Sequence, residues 1–271
     1  MAGSLCPLSR VNSDRNDMKL NVREVIGLGL LVVGSLQYAS GAIYYGPAYG
    51  NDNSPALSGG KLELSTGTDG AISGVFSKGV WTIQPDQSVV FYIDSLSGGF
   101  HDTSSFTTVG NALQNAAAGT GKNSEKSLVT FASGFEADYA IVLKPSATYA
   151  YLFKVVSPGT FDAGTRITAT EAAYKGGADS TYTFKLNWSD LGLVKGDSAN
   201  SFKFAGTFIN ETAYRYKQSL ESYQTRSEGR SGITFTSYDT FVAPVPEPVN
   251  VALGVFGGLF GVVGIWRRIH R

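Results

Sequence analysis

Three aspartates are the residues of this sequence whose type and setting best suit chemistry: Asp94, Asp102 and Asp138. Asp94 ends one predicted strand and Asp138 lies at the start of another. Because Ca²⁺ is bound by carboxylate and carbonyl oxygens, these residues are candidate ligands for a calcium ion. A glycoside hydrolase would need two facing carboxylates about 5 to 9 Å apart. Nothing in the sequence marks one of the three as an acid with a raised pKa, so we predict a non-enzymatic protein and keep a secreted glycoside hydrolase as an alternative.

The residues that usually carry other metal or nucleophilic chemistry are scarce. The chain has one Cys, Cys6, and two His, His101 and His270. One Cys forms neither an internal disulfide nor a Cys-rich zinc site. Two His argue against a His-based metal cluster and against a Ser-His-Asp hydrolase. We therefore predict no cofactor apart from the calcium ion considered above.

Aromatic side chains give a second kind of candidate site, because polysaccharides are recognised by exposed aromatic faces with polar groups beside them. The chain has 14 Tyr and 3 Trp. Trp188 lies on a predicted buried face and Trp266 in the C-terminal apolar stretch, so neither is a candidate. Tyr44 and Tyr45 stand in polar surroundings and are expected to be exposed, as is Tyr223. The residues that we predict to contact a glycan are Trp81, Tyr92, Tyr214 and Tyr216.

Composition excludes several classes of protein. Only 16% of the residues are charged and the formal net charge is zero, so a nucleic-acid partner held through its phosphates is not expected. Between residues 43 and 248 there are 15 Lys and Arg against 19 Asp and Glu, a net charge of −4. The high content of aromatic and β-branched residues argues against disorder.

The candidate residues lie in or beside short runs of alternating polar and apolar residues, which are separated by Gly-rich segments. Tyr182, Phe184, Leu186 and Trp188 recur with a period of two, which predicts a strand with one buried face. The run 88–94 is nearly all apolar and predicts a central strand. The other predicted strands are 61–65, 79–83, 127–131, 137–143, 149–155, 166–170, 201–209 and 232–238. Short helices are predicted at 109–118 and 211–223. The pattern predicts an all-β fold, an antiparallel β-sandwich with jelly-roll or Ig-like layers.

The N-terminal region has the features of an export signal. Lys19 and Arg23 precede the apolar run 25–36, and small residues follow it. Cleavage by signal peptidase after Ala42 would place Ser40 and Ala42 at the −3 and −1 positions. We predict a signal peptide over 18–42 that starts at Met18, with 1–17 as an extension from a misassigned gene start. A long n-region that includes 1–17 is the alternative to that start, and a buried core helix is the alternative to the signal peptide.

The C-terminal region has three parts in a fixed order. Pro246, Glu247 and Pro248 end a linker, 243–248, that the prolines should keep extended. The uncharged stretch 249–266 would be about 27 Å long as a helix, close to the roughly 30 Å hydrocarbon core of a bilayer. Arg267 and Arg268 belong to the basic tail 267–271, which favours the cytoplasmic side. We predict a single transmembrane helix that leaves the β-sandwich domain, 43–242, outside the cell membrane.

This C-terminal order resembles the PEP-CTERM sorting signal of Gram-negative bacteria. The resemblance implies that a membrane-embedded exosortase recognises the segment, cuts near the Pro-Glu-Pro motif and passes the protein to the cell surface or the extracellular space. It also implies an association with extracellular polysaccharide. A simple tail anchor that is never cut is the alternative.

The body of the chain is similar to the carbohydrate-binding-module-9-like and DOMON-like sandwich group. The likeness is carried by three motifs in order: 91–94, ending in Asp94; 135–141, with the pair Asp138-Tyr139; and 182–188, followed by Leu191-Gly192. It implies a β-sandwich, with a carbohydrate-binding module as an alternative function. Haem-binding members use Met or His ligands, and the predicted mature domain offers only His101, so we do not expect haem.

Overall fold

The structure, a computed structural model, describes residues 41–46, 57, 59–67, 70–79, 83–84, 86–143, 150–167, 181–194, 197, 199–220, 224–225 and 229–243. These residues belong to the unit Tyr38–Val245. The predicted signal peptide up to Ser40, the motif at 246–248, the apolar stretch 249–266 and the tail with Arg267 and Arg268 lie outside the described residues. Within the described part, no helix is long and apolar enough to cross a membrane.

The described chain is built mainly of strands. In chain order its elements are β1 (Gly41–Tyr45), β2 (Lys61–Thr66), β3 (Ala71–Ser77), β4 (Gln87–Asp94), α1 (Ala112–Ala118), β5 (Val129–Thr130), β6 (Tyr139–Leu143), β7 (Ala150–Ser157), β8 (Thr160–Phe161), β9 (Thr165–Ile167), β10 (Thr181–Asn187), β11 (Ser201–Asn210), β12 (Arg215–Leu220), β13 (Gln224–Thr225), β14 (Ile233–Phe235) and β15 (Asp239–Val242). Two 3₁₀ helices, Lys122–Ser124 and Trp188–Leu191, complete the set.

The strands form three sheets. A four-stranded sheet has the order β1-β2-β3-β10, and an eight-stranded sheet has the order β12-β11-β4-β6-β7-β8, with β15 paired to β11 and β9 to β7. All pairings in these two sheets are antiparallel. In the small sheet β13-β14-β5, the β14–β5 pair is parallel. The predicted antiparallel β-rich fold is confirmed.

One face of the eight-stranded sheet packs against the four-stranded sheet. Side chains alternate along each strand, so Phe91 and Ile93 of β4 point into the same apolar core as Phe184 and Leu186 of β10. The rings of Phe91 and Phe76 meet edge to face across this core, with centroids 5.8 Å apart. The predicted period of two in β10 and the burial of Trp188 are both confirmed.

The other face of the same sheet is covered by irregular chain and by α1. Asn111 caps the helix by accepting hydrogen bonds from the N–H groups of Leu113 and Gln114, and Gly119 ends it in the left-handed conformation. Its last three residues, 116–118, are buried against the sheet. Because both faces are covered, all eight residues of β4 are buried. The predicted central strand and the predicted short helix at 109–118 are confirmed.

Two of the predicted elements differ in the structure. The predicted helix at 211–223 is wrong, because 215–220 pairs with β11 as strand β12. In the predicted strand 79–83, residues 80–82 lie outside the described part, and Gly79 and Ile83 are not in a strand. Strands β1, β3, β8, β13 and β15 were not predicted, although the alternating burial of β3 follows the usual period.

Candidate functional site

Asp138 and Asp94 lie at the same end of the eight-stranded sheet, as two candidate ligands of one site would. Asp94 is the last residue of β4, and Asp138 directly precedes β6, whose Tyr139 pairs with Ile93. Oδ2 of Asp138 accepts hydrogen bonds from the backbone N–H groups of Ser95 (2.9 Å) and Leu96 (2.8 Å). The Asp138 carboxylate therefore fastens the loop that follows β4.

The surroundings of Asp138 raise the pKa of its carboxyl group above the usual value. Burial is the largest cause, and the negative charges of Asp94 and Glu136 act in the same direction. The hydrogen bonds from Ser95 and Leu96 oppose the shift. A carboxyl group with a raised pKa beside another carboxylate is a feature that sequence reasoning did not reveal, because it depends on burial.

Asp94 is paired with a cation. Its Oδ2 accepts hydrogen bonds from Nζ of Lys203 on β11, at 3.0 Å, and from the backbone N–H of Glu136, at 3.2 Å. Lys203 also donates to the carbonyl oxygen of Gly134 (2.6 Å) and lies 5.3 Å from the ring centroid of Tyr238. The Asp94–Lys203 pair thus joins three segments of the chain.

Asp102 lies in a separate turn. Hydrogen bonds from the side chain and backbone of Ser104 lower the pKa of its carboxyl group, and the nearby His101 acts in the same direction. Nε2 of His101 lies 2.9 Å from Oε1 of Glu136, in an exposed pair. Within the described part of the chain, no group of three or more His, Cys, Asp or Glu side chains is placed to hold a metal ion. The structure therefore brings Asp94 and Asp138 together, but does not group Asp102 with them.

Tyr92 is in the interior, and its prediction as a glycan contact is wrong. It belongs to the central strand β4 and its side chain has no solvent exposure. Its hydroxyl group donates to the carbonyl oxygen of Ala117 (2.7 Å) and accepts a hydrogen bond from Nη2 of Arg215 (3.2 Å). Burial raises the pKa of the Tyr92 phenol, which Arg215 partly offsets.

Tyr214 and Tyr216 are brought together by the turn between β11 and β12. Oδ1 of Asn210 accepts hydrogen bonds from the N–H groups of Thr212 and Tyr214, both at 3.0 Å. Ala213 has a φ of 55°, a left-handed conformation that is strained for a residue with a Cβ. This tight turn places the rings of Tyr214 and Tyr216 with centroids 5.2 Å apart and planes at 66°.

The pair of rings has an apolar support and a polar neighbour. The Tyr216 ring packs on Phe208, with centroids 4.7 Å apart. Nε2 of the buried Gln87 donates a hydrogen bond to the Tyr216 hydroxyl group at 2.8 Å. Tyr214 and Tyr216 are both half-buried, so each residue keeps part of its surface exposed to solvent. We call Tyr214, Tyr216 and Gln87 the tyrosine site.

The remaining predictions on aromatic and processing residues have mixed outcomes. Trp81 and Tyr223 lie outside the described residues. Tyr45 is 58% exposed, as predicted, but the prediction for Tyr44 is wrong: it is buried, with its ring 4.7 Å from that of Phe204. Ala42, the predicted −1 residue, is half-buried in β1 and pairs with Leu64. Cleavage after Ala42 would remove the first two residues of β1.

Sequence reasoning missed Arg215, which lies between the two tyrosines and points to the opposite face of the sheet. Its side chain is fully buried. Nε donates to the carbonyl oxygen of Ser127 (3.3 Å) and Nη1 to Oγ1 of Thr207 (3.3 Å). The only signal for this arrangement was the alternation Tyr-Arg-Tyr at 214–216, which is typical of a strand with its two faces in different surroundings.

Comparisons with protein-family models, with curated proteins and with solved structures found no match to this chain.

Proposed function

We propose that the chain is an exported, non-enzymatic protein of the cell surface or extracellular matrix whose domain contacts polysaccharide through the tyrosine site. The observation that carries this proposal is the pair of half-buried tyrosines, of which Tyr216 is held in place by the buried Gln87 amide. Partly exposed aromatic residues offer an apolar face to a sugar, and their hydroxyl groups offer it hydrogen bonds. The net charge of −4 between residues 43 and 248 favours a neutral glycan over an acidic one.

The contacts of the acidic residues support a non-enzymatic role. The Asp138 and Asp94 oxygens are engaged by backbone N–H groups and by Lys203, so they hold loops at the end of the sheet. A calcium ion at Asp94 and Asp138 would have to compete with these donors. We therefore assign the two carboxylates a structural role in the mature domain.

The export and sorting part of the proposal rests on the sequence of the two ends. Signal peptidase removes residues up to Ala42, and the helix 249–266 anchors the chain in the inner membrane. An exosortase recognises Pro246, Glu247 and Pro248 together with Arg267 and Arg268, and transfers the protein to the surface. Deletion of 249–271 should release the domain into the periplasm, as checked by surface labelling of whole cells; persistent surface display after the deletion would overturn the sorting proposal.

We also propose that the sandwich has the jelly-roll or Ig-like layering of the carbohydrate-binding-module-9-like and DOMON-like group. Support comes from the meeting of its three motifs at one end of the domain. Asp94 ends β4 and Asp138 precedes β6, while the 3₁₀ helix after β10 presents the carbonyl oxygen of Leu191 to Oγ of Ser95 at 2.9 Å. Motifs far apart in sequence thus share one set of contacts.

Calorimetric titration of the full-length chain tests the polysaccharide contact. The probes are a soluble neutral glucan and a soluble polysaccharide that contains uronic acids. We expect saturable binding of the neutral glucan, and at least about tenfold weaker binding by Tyr214→Ala and Tyr216→Ala, a loss of about 1.4 kcal/mol. Tyr45→Ala, which removes an exposed ring at another place, is the matched control. Equal affinities of all four proteins, or no saturable heat with either probe, would contradict the contact.

A secreted glycoside hydrolase is the second candidate, favoured by the raised pKa of Asp138 beside Asp94. Release of reducing sugars from either polysaccharide by the wild type, abolished in Asp138→Asn, would establish it and overturn the non-enzymatic role. A carbohydrate-binding module with one defined ligand would instead show saturable binding of a single oligosaccharide without product release.

A further inference from the structure

Three exposed aliphatic side chains lie at the end of the domain where the described chain stops. Leu96 is 38% exposed, Val194 69% and Val242 56%. Soluble proteins expose single apolar residues routinely, but a group at one place indicates an interaction surface. We call Leu96, Val194 and Val242 the exit-end patch.

Contacts of neighbouring residues link the three segments that carry the exit-end patch. A Cβ on Gly192 would lie 3.0 Å from the Leu96 methyl groups, so Leu96 packs over the 191–194 turn. Asn200 donates a hydrogen bond from its side chain to the carbonyl oxygen of Val194, and its own carbonyl oxygen accepts the N–H of Ala243 at 2.7 Å. Leu96, Val194 and Val242 therefore lie at the same end of the domain as Ala243, the last described residue.

The length of the following chain determines what this end can reach. Six residue steps separate Ala243 from Val249, where the apolar stretch begins. A fully extended chain covers at most about 3.6 Å per residue, so the two residues lie within roughly 22 Å of each other. The headgroup layer of a bilayer accounts for roughly 6 Å of that distance.

We propose that the exit-end patch rests on the lipid surface while the protein is anchored, with Leu96, Val194 and Val242 inserted among the headgroups. This inference rests on the proposed function, because it requires the segment 249–266 to span the membrane. The segment 190–197 carries Asp190 and Asp197 against one cation, Lys195, so its net charge of −1 does not attract anionic lipid and the attraction is apolar. Contact with the membrane holds the 243–248 linker close to the bilayer surface, where a membrane-embedded processing enzyme acts.

Nitroxide labels on the full-length chain in nanodiscs of zwitterionic phosphatidylcholine test this proposal. The background variant is Cys6→Ser, which removes the only cysteine of the chain. Single cysteines are introduced by Val194→Cys and Val242→Cys. The matched control is Val109→Cys, because Val109 is 42% exposed and lies far from the exit-end patch. Its neighbour Thr108 donates a hydrogen bond to the carbonyl oxygen of Gly121. The next residue, Lys122, bonds through its N–H to Glu211, which follows the opposite end of β11.

We expect collisions with oxygen, relative to collisions with an aqueous nickel chelate, to be several-fold more frequent at 194 and 242 than at 109. Nanodiscs that contain anionic lipid should reduce this difference. Labels at 194 and 242 that are as accessible to the chelate as the label at 109, in a protein that co-elutes with the nanodiscs, would overturn the lipid contact alone. Failure of the full-length chain to co-elute with nanodiscs would overturn the membrane anchor itself.

Discussion

The two faces of the eight-stranded sheet are covered in different ways. One face meets a second regular sheet through aliphatic and aromatic side chains such as Phe91 and Phe184. The other face is covered by α1, by irregular chain and by the small sheet, and it encloses the guanidinium group of Arg215 beside an apolar cluster that includes Phe100 and Phe131. A regular sheet makes the hydrogen bonds of its own backbone, whereas irregular chain needs buried polar side chains to bond its N–H and C=O groups.

Arg215 shows how the second face satisfies a buried charge. Its side chain donates hydrogen bonds to three neutral groups: the Ser127 carbonyl oxygen, the Thr207 hydroxyl group and the Tyr92 hydroxyl group. Tyr92 in turn donates to the carbonyl oxygen of Ala117, near the C-terminus of α1. Cations are stabilised near the C-terminus of a helix, where carbonyl groups carry partial negative charge. The guanidinium group thus ties the irregular segment at Ser127 to the strands β4 and β11 of the eight-stranded sheet.

Removal of Arg215 should have the largest effect on stability. Arg215→Ala leaves buried acceptors without donors and opens a cavity, so we expect a loss of about 3–5 kcal/mol in the free energy of unfolding, measured by urea denaturation. Arg215→Met keeps most of the volume and should lose less. Tyr92→Phe, which removes one hydroxyl group from the same network, should cost about 1–3 kcal/mol. An Arg215→Ala protein as stable as the wild type would contradict this role.

A change at the first face should have an intermediate effect. Gly74 of β3 pairs with Phe184, whose ring lies over it, and an added Cβ would come within 2.1 Å of that ring. Gly74→Ala forces the ring to move in a packed core, so we expect a loss of about 1–3 kcal/mol. At Gly110, where a Cβ meets nothing within 4 Å, substitution by Ala should change stability by about 0.5 kcal/mol or less. Equal effects at both glycines would show that the first core is loosely packed.

Substitution of Asp138, at the end of the sheet, should have the smallest effect on stability, and this effect should depend on pH. The pKa of Asp138 is raised in the folded state, so the folded protein binds more protons than the unfolded chain as pH rises from the ordinary Asp value to the raised one. Stability should therefore fall across that interval and stay level above it. Asp138→Asn should remove this contribution, as measured by urea denaturation across the acidic range.

Asp102 is the matched control for the pH experiment, because its pKa is lowered in the folded state. It contributes stability above the ordinary Asp value, and that contribution is lost as pH falls through the lowered value. Asp102→Asn should therefore change the pH profile in the opposite direction. If Asp138→Asn and Asp102→Asn changed the pH dependence of stability in the same direction, burial would not be what shifts the pKa of Asp138.

The difference between the faces also explains which features the sequence predicts. Period-two burial in β10 and the unbroken apolar run in β4 are local patterns that pair with a regular partner, and both were predicted correctly. In β12 the inward residue is Arg215, so hydrophobic periodicity gives no signal and the segment was predicted as a helix. The apolar run of β4 indicates burial at Tyr92, but Tyr92 was predicted to contact a glycan because it is aromatic, without regard to its place in a central strand.

The candidate sites were predictable to different extents. Asp94, Asp102 and Asp138 were predicted as candidate ligands of one calcium ion; the structure brings Asp94 and Asp138 to the same end of the sheet but leaves Asp102 in a separate turn. Their donors, Lys203 and the backbone of Ser95 and Leu96, come from long-range contacts that no local pattern encodes. Tyr214 and Tyr216 were predicted because they are aromatic residues in polar surroundings. Gln87, which completes the tyrosine site, was not predicted, because it is 129 residues distant from Tyr216 in the sequence.

Intact mass spectrometry of the protein recovered from its native cells tests the central claim of export and surface sorting most directly. We predict a mature chain that begins at Ile43 and ends within 243–248, found at the cell surface or in the medium. Any covalently added glycan would appear as extra mass on that chain. Recovery of the uncut 271-residue polypeptide from the cytosol would contradict export, anchoring and sorting together.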